Sequence, residues 1–354
     1  MESKHFSMAA ILTLGLVLAF VVSWEFYWRS RGFHISYNDD KILWSTKRKE
    51  VYKHQDQASV FVGPSRIKFD LDIPTWEALT GEKAIQLAIV GTSGRLVLND
   101  LANDKKFKGK LIIDGTEFTF FSGAAQRDRS AMQTLNYYYK ETPSQKASSA
   151  INYALESKLV FLEEGKFGVN ALLYGMHIPD RKGVIGPPAF PKELSVASID
   201  RQSYFTPMFL SDEHLQKIQI NNWVQRNGWI KKCLTDKTIR GIKGDSLSAM
   251  LDQIKTAIDK IKSRGGQVIF VRPPSSGGYK KAEEIVYPRD EYWDKMLAYT
   301  NTPGIYYADY PETANFVCPE WSHLSPRDAI VYTKNLVKIL QDEKGWKFKK
   351  SMEP

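Results

Sequence analysis

The chain has 354 residues, enough for one large domain or for a domain with an insertion, and its 43% apolar and 25% charged content reads as an ordinary globular protein. A net charge of +9 points to anionic surroundings, such as a membrane surface or an acidic glycan. Nucleic acid is set aside because no RNA- or DNA-binding motif accompanies the charge, and clusters such as Lys105, Lys106, Lys108 and Lys110 read more simply as solvated faces.

Residues 6–24 form a run of 19 without formal charge, close to the roughly 20 that cross a bilayer as a helix. Trp24, Phe26, Tyr27 and Trp28 follow as an aromatic belt, with Arg29 and Arg31 beyond. No small-x-small cleavage site precedes the belt, so residues 1–31 read as a retained anchor with the lipid bilayer as partner. Set against Lys4 and the amino terminus, Arg29 and Arg31 mildly favour a cytoplasmic C-terminal part. Residues 32–57 are polar, with Trp44 and Tyr52 as isolated apolar points, and read as a juxtamembrane linker leading into a helix.

From residue 58 to 354 the pattern is α/β. Residues 59–62 read as a first strand, 74–79 as a helix with Pro74 in its first turn, and 84–90 as a second strand with Gly91-Thr92-Ser93-Gly94 as its exit. A helix over 95–102 and a third strand over 110–114 follow. Residues 118–241 break the rhythm and read as a mainly helical insertion, with helices over 144–162 and 211–225 and a Gly/Pro-rich loop at 183–191. Alternation resumes with a helix over 246–262, strands at 267–271 and 304–307, and helices over 289–299 and 326–341. Five short apolar strands separated by helices predict a mainly parallel, doubly wound sheet whose site lies at the strands' C-terminal edge.

Two patterns carry chemistry. Gly63-Pro64-Ser65-Arg66 follows the first strand and offers a serine hydroxyl in a tight turn. Glu320-Trp321-Ser322-His323-Leu324 places a carboxylate three residues before an imidazole, just ahead of the last helix. Acyl transfer needs a nucleophile, a base and an orienting acid, here Ser65, His323 and Glu320. The plainer readings are a turn serine and a structural histidine, but His323 is the only one of six histidines set in such a motif. Asp309 and Glu312 compete with Glu320 for the acid's role. Backbone N–H groups near Ser65 and Gly91 are the expected oxyanion donors. Arg272, after the fourth strand, is expected on the same rim as a contact to an anionic or sugar substrate, with a surface salt bridge as its alternative. Gly91-Thr92-Ser93-Gly94 lacks the Lys-Ser/Thr of a phosphate-binding loop, and no spacing of Cys, His, Asp and Glu supports a metal site, so neither metal nor cofactor is expected. Cys233 and Cys318 could form one disulfide or remain two buried thiols.

In these blocks the chain resembles the SGNH/GDSL hydrolase superfamily, especially its membrane-anchored members associated with bacterial glycan O-acylation. Gly63-Pro64-Ser65-Arg66 is similar to its first block, Gly91 to the glycine of its second, and Glu320-Trp321-Ser322-His323-Leu324 to its last. The resemblance implies a three-layer αβα sandwich and a serine esterase or O-acyltransferase working through an acyl-serine on a cell-envelope polysaccharide. It further implies a single-pass protein of the inner (cytoplasmic) membrane with its domain on the periplasmic side. A membrane protein handing over the acyl group is the partner that this reading leaves room for. The family's third block, Gly-x-Asn-Asp, is matched here by Gly115-Thr116-Glu117-Phe118, with Glu117 where an oxyanion-binding Asn belongs. An ionised Glu117 facing the serine would oppose catalysis, so it is expected to turn away or to pair with a cation such as Arg66 or Arg95. The alternative is an inactive scaffold or glycan-binding protein of this family. A literal Gly244-Asp245-Ser246-Leu247 reads as a decoy: no apolar strand precedes it, and Asp245 or Ser246 serves better as the N-cap of the following helix.

Overall fold

The computed structural model describes residues 2–53, 58–174, 190–226 and 229–350. The N-terminal helix α1 (Glu2–Ser30) is one unbroken rod, and from His5 to Ser30 it is apolar and long enough to cross a membrane. It does not end in a free tether. Trp28 packs against Phe33 and Phe167, and the Glu25 carboxylate accepts the Val160 N–H at 2.8 Å.

Five parallel strands form the sheet: β1 (Ala58–Val62), β2 (Lys83–Gln86), β3 (Lys110–Asp114), β6 (Gln267–Arg272) and β7 (Gly304–Tyr306), in the order β2-β1-β3-β6-β7. A separate antiparallel hairpin, β4 (Ser195–Ala197) with β5 (Ser203–Phe205), belongs to the middle of the chain. Val60, Val62, Leu111, Ile113, Val268 and Phe270 feed one hydrophobic core, while Phe61, Ile112, Ile269, Val271 and Ile305 feed another. Successive side chains of a strand point to opposite faces, so these near-continuous apolar runs are what a sheet covered on both sides requires. Helices α3 (Ser65–Phe69) and α4 (Ile73–Thr80) and the closing Pro326–Asp342 helix pack on the second face; α5 (Arg95–Asn103) and the Gly244–Lys262 helix pack on the first.

The predicted strand over 84–90 is paired beyond its regular part, since Leu87 N–H reaches Phe61 O at 2.8 Å and Ile89 N–H reaches Gly63 O at 3.0 Å. It is the edge of the sheet, and among the described residues no strand pairs with its outer side. There the Arg201 guanidinium donates to the Gln86 and Ala88 carbonyls at 2.7 and 3.0 Å. The Trp44 indole N–H donates to Leu87 O at 2.8 Å. This corrects the linker expected at 32–57. Helix α2 (Lys41–Glu50), the helix into which that linker is expected to lead, buries Leu43 and Trp44 completely, and Arg48 pairs with Asp100 and Asp104 at 2.9 and 2.8 Å, so these residues pack as part of the α/β body. The predicted insertion over 118–241 is mostly helical but also contains the β4–β5 hairpin; its Gly/Pro-rich loop at 183–191 lies outside the described residues except for Phe190 and Pro191.

The chain passes from β1 outward to β2, then back across β1 to β3. That reversal opens a crevice beyond the C-terminal ends of β1 and β3, where open α/β sheets place their sites.

Candidate active site

The turn after β1 is set by space. Gly63 has φ +152°, and a Cβ there would lie 2.5 Å from the Asp114 Cβ at the end of β3. On the other side, a Cβ on Gly94 would fall 2.9 Å from the Gly63 Cα. The chain therefore passes between two backbones at a point only glycine fits. Extended Pro64 then leads into α3, and Ser65 is its first residue. Asp114 locks this turn: one carboxylate oxygen accepts the Ile67 N–H at 3.2 Å, and the other accepts the Thr116 N–H and hydroxyl at 2.8 and 2.7 Å.

His323 comes from the loop ahead of the last helix. Trp321 adopts φ +77°, an uncommon conformation for a bulky residue, and so turns the following N–H groups back onto Glu320. Glu320 Oε1 accepts the Ser322 N–H at 3.1 Å, the His323 N–H at 2.7 Å and His323 Nδ1–H at 2.8 Å. Its other oxygen accepts the indole N–H of Trp223. Burial alone would push this fully buried carboxyl up, but the facing imidazole and these donors hold it below the usual glutamate range. With Nδ1 carrying its proton toward Glu320, Nε2 is left as the acceptor, and it lies 2.8 Å from Ser65 Oγ. The three residues form one continuous hydrogen-bonded chain. The Phe69 ring lies 4.4 Å from the imidazole, with Phe205 and Trp223 at 6.2 and 6.4 Å, so aromatic faces hold the ring in place.

Ser65, Glu320 and His323 open into a cleft of about 380 Å³ whose walls include Phe69, Val90, Leu194 and Trp223. Lys68, one helical turn after Ser65, is buried on its wall and paired with Asp39, which also binds Arg201 Nε at 2.6 Å. Burial, together with the charge of Arg201, lowers the Lys68 ammonium well below its ordinary range.

The other predicted residues are placed differently. Gly91 is exposed at the tip of its loop, and Val90 lines the cleft in its stead. Arg272 is not the rim residue expected. It is only 2% exposed, and its guanidinium is held by Glu117 at 2.8 Å and Glu283 at 2.7 Å, an interior network rather than a substrate contact or a surface salt bridge. Glu117 is thus paired, with Arg272 in place of the expected Arg66 or Arg95. Arg66 binds Glu283 at 2.8 Å, and Arg95 donates to the Ser122 carbonyl at 2.7 Å. Two arginines and two glutamates of this network neutralise one another beneath the serine turn. Of the rival acids, Asp309 is engaged by Arg289 at 2.8 Å. The decoy Ser246 is exposed in the first turn of a helix that starts at Gly244, with Lys243 at the N-cap position. Neither Asp245 nor Ser246 is that cap, so the expected capping role is corrected while the helix start stands. Cys233 and Cys318 are both buried free thiols.

Trp223, Phe205 and Asp39 were not visible from sequence, since each comes from a remote segment with no motif around it. Lys68 and Asp114 had a signal: one sits a helical turn beyond the serine, the other closes an apolar strand. No protein-family model matches this chain, and none of the curated proteins compared with it is significantly similar.

Proposed function

We propose that this protein is a membrane-anchored serine esterase or O-acyltransferase acting on a cell-envelope polysaccharide through an acyl-Ser65 intermediate, built on a three-layer αβα domain of the SGNH type. The observation that carries the reading is the Ser65–His323–Glu320 chain, closed at 2.8 Å in both links and placed at the crevice where the strand order reverses. His323 Nε2 takes the Ser65 proton as Oγ attacks an acyl carbonyl, and Glu320 stabilises the imidazolium that forms. The tetrahedral intermediate collapses as His323 returns that proton to the leaving oxygen. Water or a sugar hydroxyl, deprotonated in turn by His323, then releases the acyl group from Ser65. Ser65 opens a helix, so its own N–H has no carbonyl acceptor within that helix and is the first candidate oxyanion donor. The charge objection raised by Glu117 loses its force, because that carboxylate is neutralised by Arg272.

The apolar α1 supports an anchor in the cytoplasmic membrane, with the domain on its outer side as the family resemblance implies. A membrane protein that supplies the acyl group is compatible with this placement. Full-length protein in detergent micelles should hydrolyse 4-nitrophenyl acetate, and Ser65→Ala should abolish this turnover. An absence of turnover on acetyl, propionyl and longer esters would instead favour the inactive scaffold.

A further inference from the structure

The cleft at Ser65 does not end at its own rim. It shares Asp39 and Val90 with a second hollow of about 330 Å³, and that hollow shares Lys41 and Gln133 with a third of about 410 Å³. The three hollows, linked in series by these shared wall residues, line up as a groove running from the candidate nucleophile toward the Arg129–Lys140 helix. Gln133, Asn136, Tyr137 and Lys140 recur at helical spacing and share one face of that helix. The opposite face is spoken for, with Ala131 and Thr134 buried and Leu135 and Tyr138 packed against the main core.

The chemistry of the groove's far end is selective. It is lined by two ammonium groups, Lys41 and Lys140, by the amides of Gln133, Asn136 and Gln145, and by the Tyr137 phenol. The acids closest in sequence are already engaged: Asp40 caps α2 through the Ile42 and Leu43 N–H groups, and Glu141 pairs with Lys49. Neither Lys41 nor Lys140 pairs with a carboxylate among the described residues. The Lys41 ammonium lies over the Tyr137 ring at 5.5 Å. Amides exchange hydrogen bonds in both directions with hydroxyl groups, while unpaired ammonium groups seek anions.

We propose that this groove binds a linear anionic oligosaccharide, with Gln133, Asn136, Lys140 and Lys41 as its polar subsite, and that it presents one ester or hydroxyl of that chain to Ser65. The last clause rests on the serine esterase reading; the binding site does not. The test uses full-length Ser65→Ala protein in micelles, which binds without turnover, titrated calorimetrically with hexagalacturonate and with the neutral maltohexaose. Hexagalacturonate should bind saturably and more weakly as salt is raised. Lys41→Gln/Lys140→Gln should weaken it at least tenfold. Absence of hexagalacturonate binding, unchanged affinity in the double variant with native circular dichroism, or equal affinity for maltohexaose would overturn the proposal. Ester hydrolysis by the wild type separates the two readings: binding without hydrolysis upholds the groove and removes the chemistry, and hydrolysis without binding does the reverse.

Discussion

Glu117→Gln removes one charge from a buried, neutral set of two arginines and two glutamates. Its carboxylate lies 2.8 Å from Arg272 Nε, and at an effective permittivity near 20 that separation corresponds to about 6 kcal/mol of gross attraction. The glutamine keeps a neutral hydrogen bond, and Arg272 keeps Glu283 at 2.7 Å, so the net loss belongs at the lower end of the roughly 3–5 kcal/mol seen when one partner of a buried pair is removed. Burial pushes the Glu117 carboxyl up while the Arg272 charge opposes that rise, so the pair rather than the isolated acid sets the balance. A loss of about 3 kcal/mol corresponds to a melting temperature lower by roughly 4–5 °C for a domain of this size. The assay is thermal unfolding of the full chain in micelles, followed by circular dichroism. Removing both charges, in Glu117→Gln/Arg272→Met, should cost less than the sum of the two single changes, because neither charge is then left alone. A melting temperature within a degree of wild type for Glu117→Gln would refute the reasoning, since the carboxylate would then have to reach water.

Trp223→Phe keeps the ring but removes the N–H that Glu320 accepts; a hydrogen bond to a charged group contributes about 1.5–3 kcal/mol, so kcat for ester hydrolysis should fall about 10- to 100-fold with KM little changed. An unchanged kcat would sink the role given to that indole. Asp70 is fully buried, and burial pushes its carboxyl well up against the Leu324 N–H at 2.8 Å and the Arg66 charge. The folded protein holds this proton more tightly than the unfolded chain, so its stabilising effect is complete below about pH 3.9 and is lost as pH rises toward the folded value. Asp70→Asn lacks that decline and should gain on wild type in melting temperature between pH 4.5 and 7.5; parallel pH profiles would contradict this.

The ends of the site were legible because each sits beside a strong local signal. Ser65 follows a five-residue apolar strand and a glycine, and the Glu-x-x-His spacing lets one carboxylate reach both a backbone N–H and the imidazole three residues on. The strands were legible for the same reason: burial on both faces leaves unbroken apolar runs. Arg272 was misread because a cation at the C-terminal edge of a strand looks the same in sequence whether it faces a ligand or a buried glutamate. Its partners Glu117 and Glu283 lie 155 and 11 positions away, a pairing that only the folded sheet reveals. Residues 32–57 looked like a linker because their charge content is high, yet Lys47 and Arg48 carry that charge inward to Asp200 and Asp100, and Trp44 anchors the segment to the edge strand. Trp223 had no signal at all, because its meaning is a single hydrogen bond made across 97 positions.

The central claim is that Ser65 is a nucleophile activated by His323. Full-length protein treated with a fluorophosphonate and analysed by peptide mass spectrometry tests it most directly, because only an activated serine attacks phosphorus at neutral pH. A single adduct on the peptide carrying Ser65 is expected, lost in His323→Ala and much slowed in Glu320→Gln, with Ser246 unlabelled. An unmodified Ser65, labelling that persists in His323→Ala, or an adduct on Ser246 would contradict it.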